Sequence, residues 1–241
     1  MDAVIIAAGK GTRMRPLTER RPKPLLPVGE TTLLERAMDQ CTDLVDRFVL
    51  VIGYRGEDIR EAIGETHAGT PVEYVTQQDA LGTAHAIGQA RELVTDRFLV
   101  LNGDVVVDAS LPQRLAAADG PAMAVQPVDT PSNYGVVETD AGVVTDLVEK
   151  PDDPPSNLIN TGVYAFTPDV FEYIERTEQS PRGEYEITDT IDHLLADGHA
   201  VTAVEYDGVR GGDVGLQRLT GLFGRFTWPT REVPILLRTW P

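Results

Sequence analysis

Residues 1–30 read MDAVIIAAGKGTRMRPLTERRPKPLLPVGE. An apolar run from Val4 to Ala8 breaks into Gly9-Lys10-Gly11-Thr12-Arg13 and is followed by Pro22-Lys23-Pro24. A strand that opens into glycines and basic residues suggests a phosphate site, because a glycine-rich turn lets backbone N–H groups approach an anion closely. The spacing excludes two common versions. There is no G-x-x-x-x-G-K-[ST], as a P-loop requires, and Met14 stands where a dinucleotide-binding G-x-G-x-x-G needs its third glycine. An α/β oxidoreductase is disfavoured for the second reason. On the glycines alone, an ordinary turn with a solvated arginine reads equally well. Arg13 adds a fork of donors suited to phosphate oxygens. Pro16, Pro22 and Pro24 stiffen the loop that carries Arg13 and Lys23, which suits it to transition-state charge.

Composition limits what surrounds this loop. The chain has 241 residues with 41% hydrophobic content, enough for a real core in one large or two small domains. No apolar run approaches the roughly 20 residues of a membrane span, and the N-terminus does not read as a signal peptide. Cys41 is the only cysteine, so no internal disulfide forms, and its helical context favours a buried, inert thiol. A cytoplasmic protein is expected. Net charge is −17, with only Lys10, Lys23 and Lys150 as lysines. Such acidity repels nucleic acid and suits a high-salt cytoplasm, where screening removes self-repulsion. A lysine kept in such a chain beside Gly or Pro is a functional candidate. Residues 208–241 differ: five arginines and two acids give +3, against −20 for residues 1–207.

The first half alternates strand and helix patterns. Short Val/Ile/Leu/Phe runs at Ala3–Ala8, Arg47–Ile52, Val72–Thr76 and Phe98–Asn102 suit strands buried on both faces. Helices are expected at Thr32–Cys41, Glu57–Gly64 and Thr83–Leu93. This rhythm predicts a doubly wound, mostly parallel α/β sheet, with ligands outside the carboxyl ends of its strands. After Asp108, strands are expected at Ala122–Pro127, Gly135–Glu138, Val143–Glu149, Val163–Phe166 and Val201–Tyr206, with a hairpin turn at residues 140–142. Helices are expected at Asp169–Arg176 and Ile187–Ala196. The reading is one domain, 1–215, with a nucleotide-facing half (1–108) and a small β-rich half that covers the cleft (109–215), then an atypical tail (216–241). No internal repeat is present, and in particular no hexapeptide β-helix repeat.

Residues 7–29, AAGKGTRMRPLTERRPKPLLPVG, resemble the signature of the sugar-1-phosphate nucleotidyltransferases, G-x-G-T-R-x-x-P-x-T followed by K-P. The resemblance implies a Rossmann-like nucleotidyltransferase fold with a nucleotide-binding half (1–108) and an added small β-rich sugar-binding part (109–215), a triphosphate cradle at Ala8, Gly9, Gly11 and Thr12, and catalytic roles for Arg13 and Lys23. Gln77-Gln78-Asp79-Ala80-Leu81-Gly82-Thr83-Ala84 is similar to the family's base-reading segment, making Gln77, Gly82 and Thr83 nucleotide-binding, with Gln78 as the alternate reader. A Gln side chain can both donate to and accept from a pyrimidine edge. His85, inside this segment, is expected to pack rather than do chemistry. Asp104 ends an apolar strand, placed to hold a metal over a cleft or to cap the following turn. In the family that Gly-Asp supplies a Mg²⁺ ligand, and Asp213 in Asp213-Val214-Gly215 resembles the second one.

Further segments follow in the family's order: Asn133 to Val137, Val148 to Pro151 and Asn160 to Tyr164. The resemblance gives Gly135 a backbone role and Glu149 the sugar hydroxyls. It gives Lys150 the sugar phosphate, and makes Asn160 and Thr161 line the sugar. Arg182-Gly183-Glu184-Tyr185-Glu186-Ile187-Thr188-Asp189 is similar to the segment that closes the sugar side, where Thr188 is also a natural helix N-cap. Past Asp213 the pattern departs from the family where the charge balance changes, as a divergent or frame-shifted end, or a tail that packs on the domain or a partner, would produce.

The implied partners are an NTP (UTP or dTTP favoured) and a sugar-1-phosphate (glucose-1-phosphate favoured), with Mg²⁺ as cofactor and a homo-oligomer left open. N-acetylglucosamine-1-phosphate, mannose-1-phosphate with GTP, and a non-catalytic regulatory subunit are the alternatives. A phosphate nucleophile is already ionised at neutral pH. This agrees with the scatter of His67, His85, His193 and His199, which form no obvious dyad.

Overall fold

The computed structural model describes residues 1–14, 18–107, 109–206 and 210–211, the side chains of Arg13 and Arg210 excepted. The strands of its main sheet are β1 (Asp2–Ala7), β2 (Arg47–Ile52), β3 (Thr66–His67), β4 (Thr70–Thr76), β5 (Phe98–Asn102), β6 (Ala122–Pro127), β7 (Gly135–Asp140), β8 (Val143–Glu149), β9 (Leu158–Phe166) and β10 (Thr202–Glu205), and two-residue strands pair Pro27–Val28 with Thr31–Thr32 and Val105–Val106 with Arg210–Gly211. The helices are α1 (Leu33–Asp39), α2 (Gly56–Ile63), α3 (Thr83–Gly88), α4 (Ser110–Ala116), α5 (Val170–Arg176) and α6 (Ile187–Ala196). No described helix is long and apolar enough to cross a membrane.

The numbered strands form one sheet in the order β7-β8-β10-β6-β9-β5-β1-β2-β4-β3. β1 pairs in parallel with both β2 and β5, and β2 with β4. The chain therefore winds outward from β1 to β4, then returns to the other side of β1 to lay down β5. That reversal makes the carboxyl ends of β1 and β5 the place where an open α/β sheet leaves a crevice.

Beyond β5 the sheet departs from the mostly parallel expectation. β9 lies antiparallel between β5 and β6, β7 and β8 form an antiparallel hairpin, and only β6 and β10 pair in parallel there. The sheet is mixed, and the strands of the second half extend it rather than forming a separate layer. Short hairpin connections and return strands permit antiparallel pairing, whereas each parallel pair needs a crossover.

Burial follows the period of two. Ala3, Ile5 and Ala7 of β1, Phe48, Leu50 and Ile52 of β2, and Leu99 and Leu101 of β5 join one core with Leu34 and Met38 of α1, Ile59 of α2 and Leu111 of α4. The intervening Val4, Val49, Val51, Phe98 and Val100 face a second core with Ile87 of α3, Phe171 of α5 and Ile191 of α6. Both faces of the central strands are covered, hence their unbroken apolar runs. Cys41 is buried in the first core, and burial pushes its thiol up to about 12.

Local chemistry explains several boundaries. Thr32 caps α1 instead of starting it: its hydroxyl accepts from Glu35 N–H at 3.2 Å, and Glu35 Oε2 accepts from Thr32 N–H at 2.7 Å. The hairpin between β7 and β8 turns on Ala141 and Gly142, both at positive φ (47° and 81°), the pattern whose twist suits a two-residue turn. Helix α4 was not anticipated; Pro112 discourages a helix reading, but it lies in the first turn, where its missing N–H costs no intrahelical bond.

Candidate active site

At the carboxyl end of β1 the chain passes Ala8 and Gly9 and enters a single 3₁₀ turn, Thr12–Met14, which carries the backbone of Arg13. The carbonyl of Gly11 (φ +57°) accepts from Met14 N–H at 3.0 Å and from the Thr18 hydroxyl at 2.8 Å, folding the loop back on itself. Lys23 opens a second 3₁₀ turn, Lys23–Leu25, anchored by buried Pro24 and Leu25. Its ammonium forms an ion pair with the carboxylate of Asp104, both side chains 18% exposed. Asp104 stands just past β5, and Gly103 N–H donates to Ile6 O of β1 at 2.9 Å. Two residues expected to act on the triphosphate and the metal thus meet at the topological crevice.

Asp213 lies outside the described residues. Its neighbour Gly211, two positions earlier, pairs with Val105, the residue after Asp104.

The segment from Gln77 to Ala84 is locked to the segment from Arg182 to Asp189 about a hundred residues later. Tyr185 N–H donates to Leu81 O at 2.7 Å, and Ala84 N–H donates to Tyr185 O at 3.0 Å. Gly82 sits between them at φ +112°, and a Cβ there would lie 2.7 Å from Tyr185 N. Only glycine fits that backbone and that approach. Thr83 Oγ1 accepts from Ile187 N–H at 3.0 Å and so caps α6 from another element. The expected Thr188 cap does not form. Helix α6 begins at Ile187, as expected, which places Thr188 inside its first turn, and the Thr188 hydroxyl is buried without a partner among the described residues.

Gln77 follows β4 and is 5% exposed. Its Nε2 donates to Gly82 O at 3.1 Å and meets His85 Nδ1 at 2.8 Å. Gln78 is exposed.

On the other side of the crevice, Gly135, Glu149 and Asn160 converge. A Cβ on Gly135 would lie 3.1 Å from Glu149 Oε2, 3.0 Å from Thr188 Cγ2 and 3.5 Å from Asn160 Cβ. Glu149 Oε1 accepts from Lys150 Nζ at 2.8 Å and from Arg182 at 3.1 Å. Lys150 adopts positive φ (46°), uncommon for a residue with a side chain, and its N–H donates to Tyr134 O at 3.0 Å. Asn160 Nδ2 donates to Tyr164 Oη at 2.7 Å, and burial pushes the Tyr164 phenol well above its usual range. Thr161 points elsewhere: its hydroxyl donates to Ala124 O at 3.0 Å inside the sheet.

Sequence reasoning gave Arg182 no separate role, yet it is the hub of this side. It pairs with Glu149, with Glu184 at 2.9 Å and with Glu186 at 2.7 Å. Burial raises the Glu186 carboxyl pKa, outweighing the lowering effect of Arg182. The available signal was an arginine two and four residues ahead of glutamates in the turn that precedes α6.

A charge pair at the β1/β5 switch point, with a second polar cluster at Gly135, Glu149 and Asn160, places the candidate site where an open α/β sheet binds its ligands. The chain belongs to the nucleotidyl transferase family, whose model matches residues 2–219, and it is a sugar-1-phosphate nucleotidyltransferase, as its opening segment led one to expect. It is 40% identical to the UTP–glucose-1-phosphate uridylyltransferase AglF of Haloferax volcanii over 219 residues, covering 87% of this chain and 90% of that protein. It is 42% identical to the bifunctional protein GlmU of Methanocaldococcus jannaschii, covering 81% of this chain but 47% of GlmU, so the chain spans about half the length of that relative. A solved putative glucose-1-phosphate thymidylyltransferase from Bacillus anthracis superposes with a TM-score of 0.81 at 29% identity, covering 95% of this chain and 97% of that one.

Proposed function

We propose that this protein transfers a uridylyl or thymidylyl group from UTP or dTTP to glucose-1-phosphate, with UTP preferred. The observation that carries the proposal is the Lys23–Asp104 pair at the carboxyl ends of β1 and β5; the convergence of Gly135, Glu149 and Asn160 on the second half of the sheet agrees with it. The 40% identity to a UTP–glucose-1-phosphate uridylyltransferase supports the choice of substrates.

In this reading a phosphate oxygen of the sugar-1-phosphate attacks the α-phosphorus, and the bond from that phosphorus to the bridging oxygen of the β-phosphate breaks. Pyrophosphate leaves with the electron pair. The backbone from Ala8 to Thr12 cradles the triphosphate, and Arg13 and Lys23 stabilise its charge and that of the leaving group. Lys150 and Glu149 hold the phosphate and hydroxyls of the sugar, with Asn160 beside them. A side-chain role for Thr161 is not carried forward, because its hydroxyl is engaged with Ala124.

The residues fit a Mg²⁺ ion. No cluster of three ligating side chains occurs among the described residues, and Mg²⁺ characteristically takes one or two carboxylates and completes its shell with water and substrate phosphates. Asp104 would be the first carboxylate, and the Gly211–Val105 pairing supports Asp213 as the second. When bound, the ion would offset phosphate charge.

The test is pyrophosphate release from a panel of NTPs and sugar-1-phosphates, run with Mg²⁺ in dilute and in molar salt. UTP with glucose-1-phosphate should give the highest kcat/KM. Absence of pyrophosphate with every pair, together with retained nucleotide-sugar binding, would replace the enzyme with a regulatory subunit.

A further inference from the structure

Gln77 Nε2 lies within hydrogen-bond distance of both Gly82 O (3.1 Å) and His85 Nδ1 (2.8 Å). A carbonyl oxygen can only accept, so the group facing Gly82 must be the NH₂ and not the amide oxygen. The same NH₂ then offers its second proton to His85, whose Nδ1 must be an unprotonated acceptor. Both Gln77 donors are thereby engaged within the protein. The Oε1 atom accepts no hydrogen bond among the described residues, and it is not one of the sealed, unpartnered atoms. The side chain can therefore meet a ligand only as an acceptor.

His85 is itself held in place. It lies in α3, stacked on Tyr185 with ring centroids 6.2 Å apart and planes 29° apart, and Gln89 Nε2 donates to its backbone carbonyl at 3.0 Å.

We infer that His85 is a positioning residue for base selection: it fixes the Gln77 amide as a pure acceptor, so the site takes bases with a ring N–H at the recognition edge. Uracil and thymine carry that N–H at position 3, whereas cytosine has a lone pair there. The Gln side chain would otherwise present either end to a pyrimidine, and the sequence alone left that choice open. The inference rests on Gln77 as the base reader.

The test measures dissociation constants of UTP and CTP by calorimetry, with Mg²⁺, for the full chain and three variants, each checked for an intact melting transition. His85→Phe keeps a ring to stack on Tyr185 but removes the acceptor. It should weaken UTP about three- to tenfold, the scale of one neutral hydrogen bond, and shrink the UTP-over-CTP preference by a similar factor. His85→Asn, whose Oδ1 can replace Nδ1, should restore most of that preference. A purely structural role would move both nucleotides together and leave the ratio unchanged. Gln77→Ala separates the two levels. If it abolishes the preference while His85→Phe retains it, the inference about His85 is overturned and the base reader stands. If Gln77→Ala itself retains the preference, the base reader falls and the inference with it.

Discussion

The two sides of the crevice place charge by different means. On the side we assign to the nucleotide, Lys23 and Asp104 form one ion pair among the described residues, presented by a 3₁₀ turn and by the end of a strand. On the side we assign to the sugar phosphate, Arg182 touches three carboxylates, and one of these, Glu149, also takes Lys150. The first arrangement is set mainly by backbone and the second by a web of side chains. Losing a member of an isolated pair leaves the partner charge without compensation, whereas a web can redistribute. Substitutions should therefore act more sharply on the nucleotide side.

The largest effect is expected there. Lys23→Ala and Asp104→Ala should each lower turnover by about 10²-fold or more, the scale for losing one preorganised charge partner. Glu149→Gln, which keeps an acceptor, should act mainly on KM for the sugar phosphate and by about tenfold. Steady-state pyrophosphate release measures all three, and near-normal turnover in either nucleotide-side variant would sink the mechanism.

Next in size is the seam between the sides. Gly82→Ala forces a side chain against the backbone of Tyr185 at a φ that other residues avoid. It should cost at least about 2 kcal/mol in urea unfolding. Thr83→Val removes the acceptor for Ile187 N–H and should cost about 1 kcal/mol, as loss of a helix cap does. A Thr83→Val midpoint equal to wild type would show that α6 does not depend on the seam.

The smallest effect lies on α6 behind the sugar side. Partial burial, with Asp146 and Asp189 nearby, raises the Asp192 carboxyl to about 7. A carboxyl raised in the fold binds protons that the unfolded chain has already released. Its contribution to stability is therefore present at low pH and declines as pH rises from about 4 to about 7. Asp192→Asn should match wild type near pH 4 and exceed it above pH 7, by under about 1 kcal/mol once solvent screening is counted. Melting curves across that range give the sign directly, and a variant less stable than wild type at pH 8 would reverse it.

Legibility follows the same division. The parallel half was readable because β1, β2 and β5 are buried on both faces and their apolar runs stand out. Helix α6 was read with its observed bounds because Ile187, Ile191 and Leu194 fall on one face. Strand β9 was read short: Asn160-Thr161-Gly162 interrupts its apolar run, and Gly162 at φ +78° sits where the register shifts. The mixed pairing beyond β5 depends on contacts distant in sequence, which periodicity does not encode. The residues gathered at Glu149 could be nominated by motif, but not the ion pairs among them. Likewise, Thr188 is an ordinary cap candidate by local rules, and only tertiary structure could substitute Thr83.

That substitution has a kinetic side. The bond from Ile187 N–H to Thr83 spans 104 positions of sequence, so the first turn of α6 cannot receive this cap by local folding. It must wait until β4 and α3 are docked, and closing so long a loop is a slow, entropically costly event. The segment from Tyr185 to Ile187 is thus expected to act as a late-ordering clasp. Its amide protection reports whether the two halves of the molecule have come together, well before any substrate is bound.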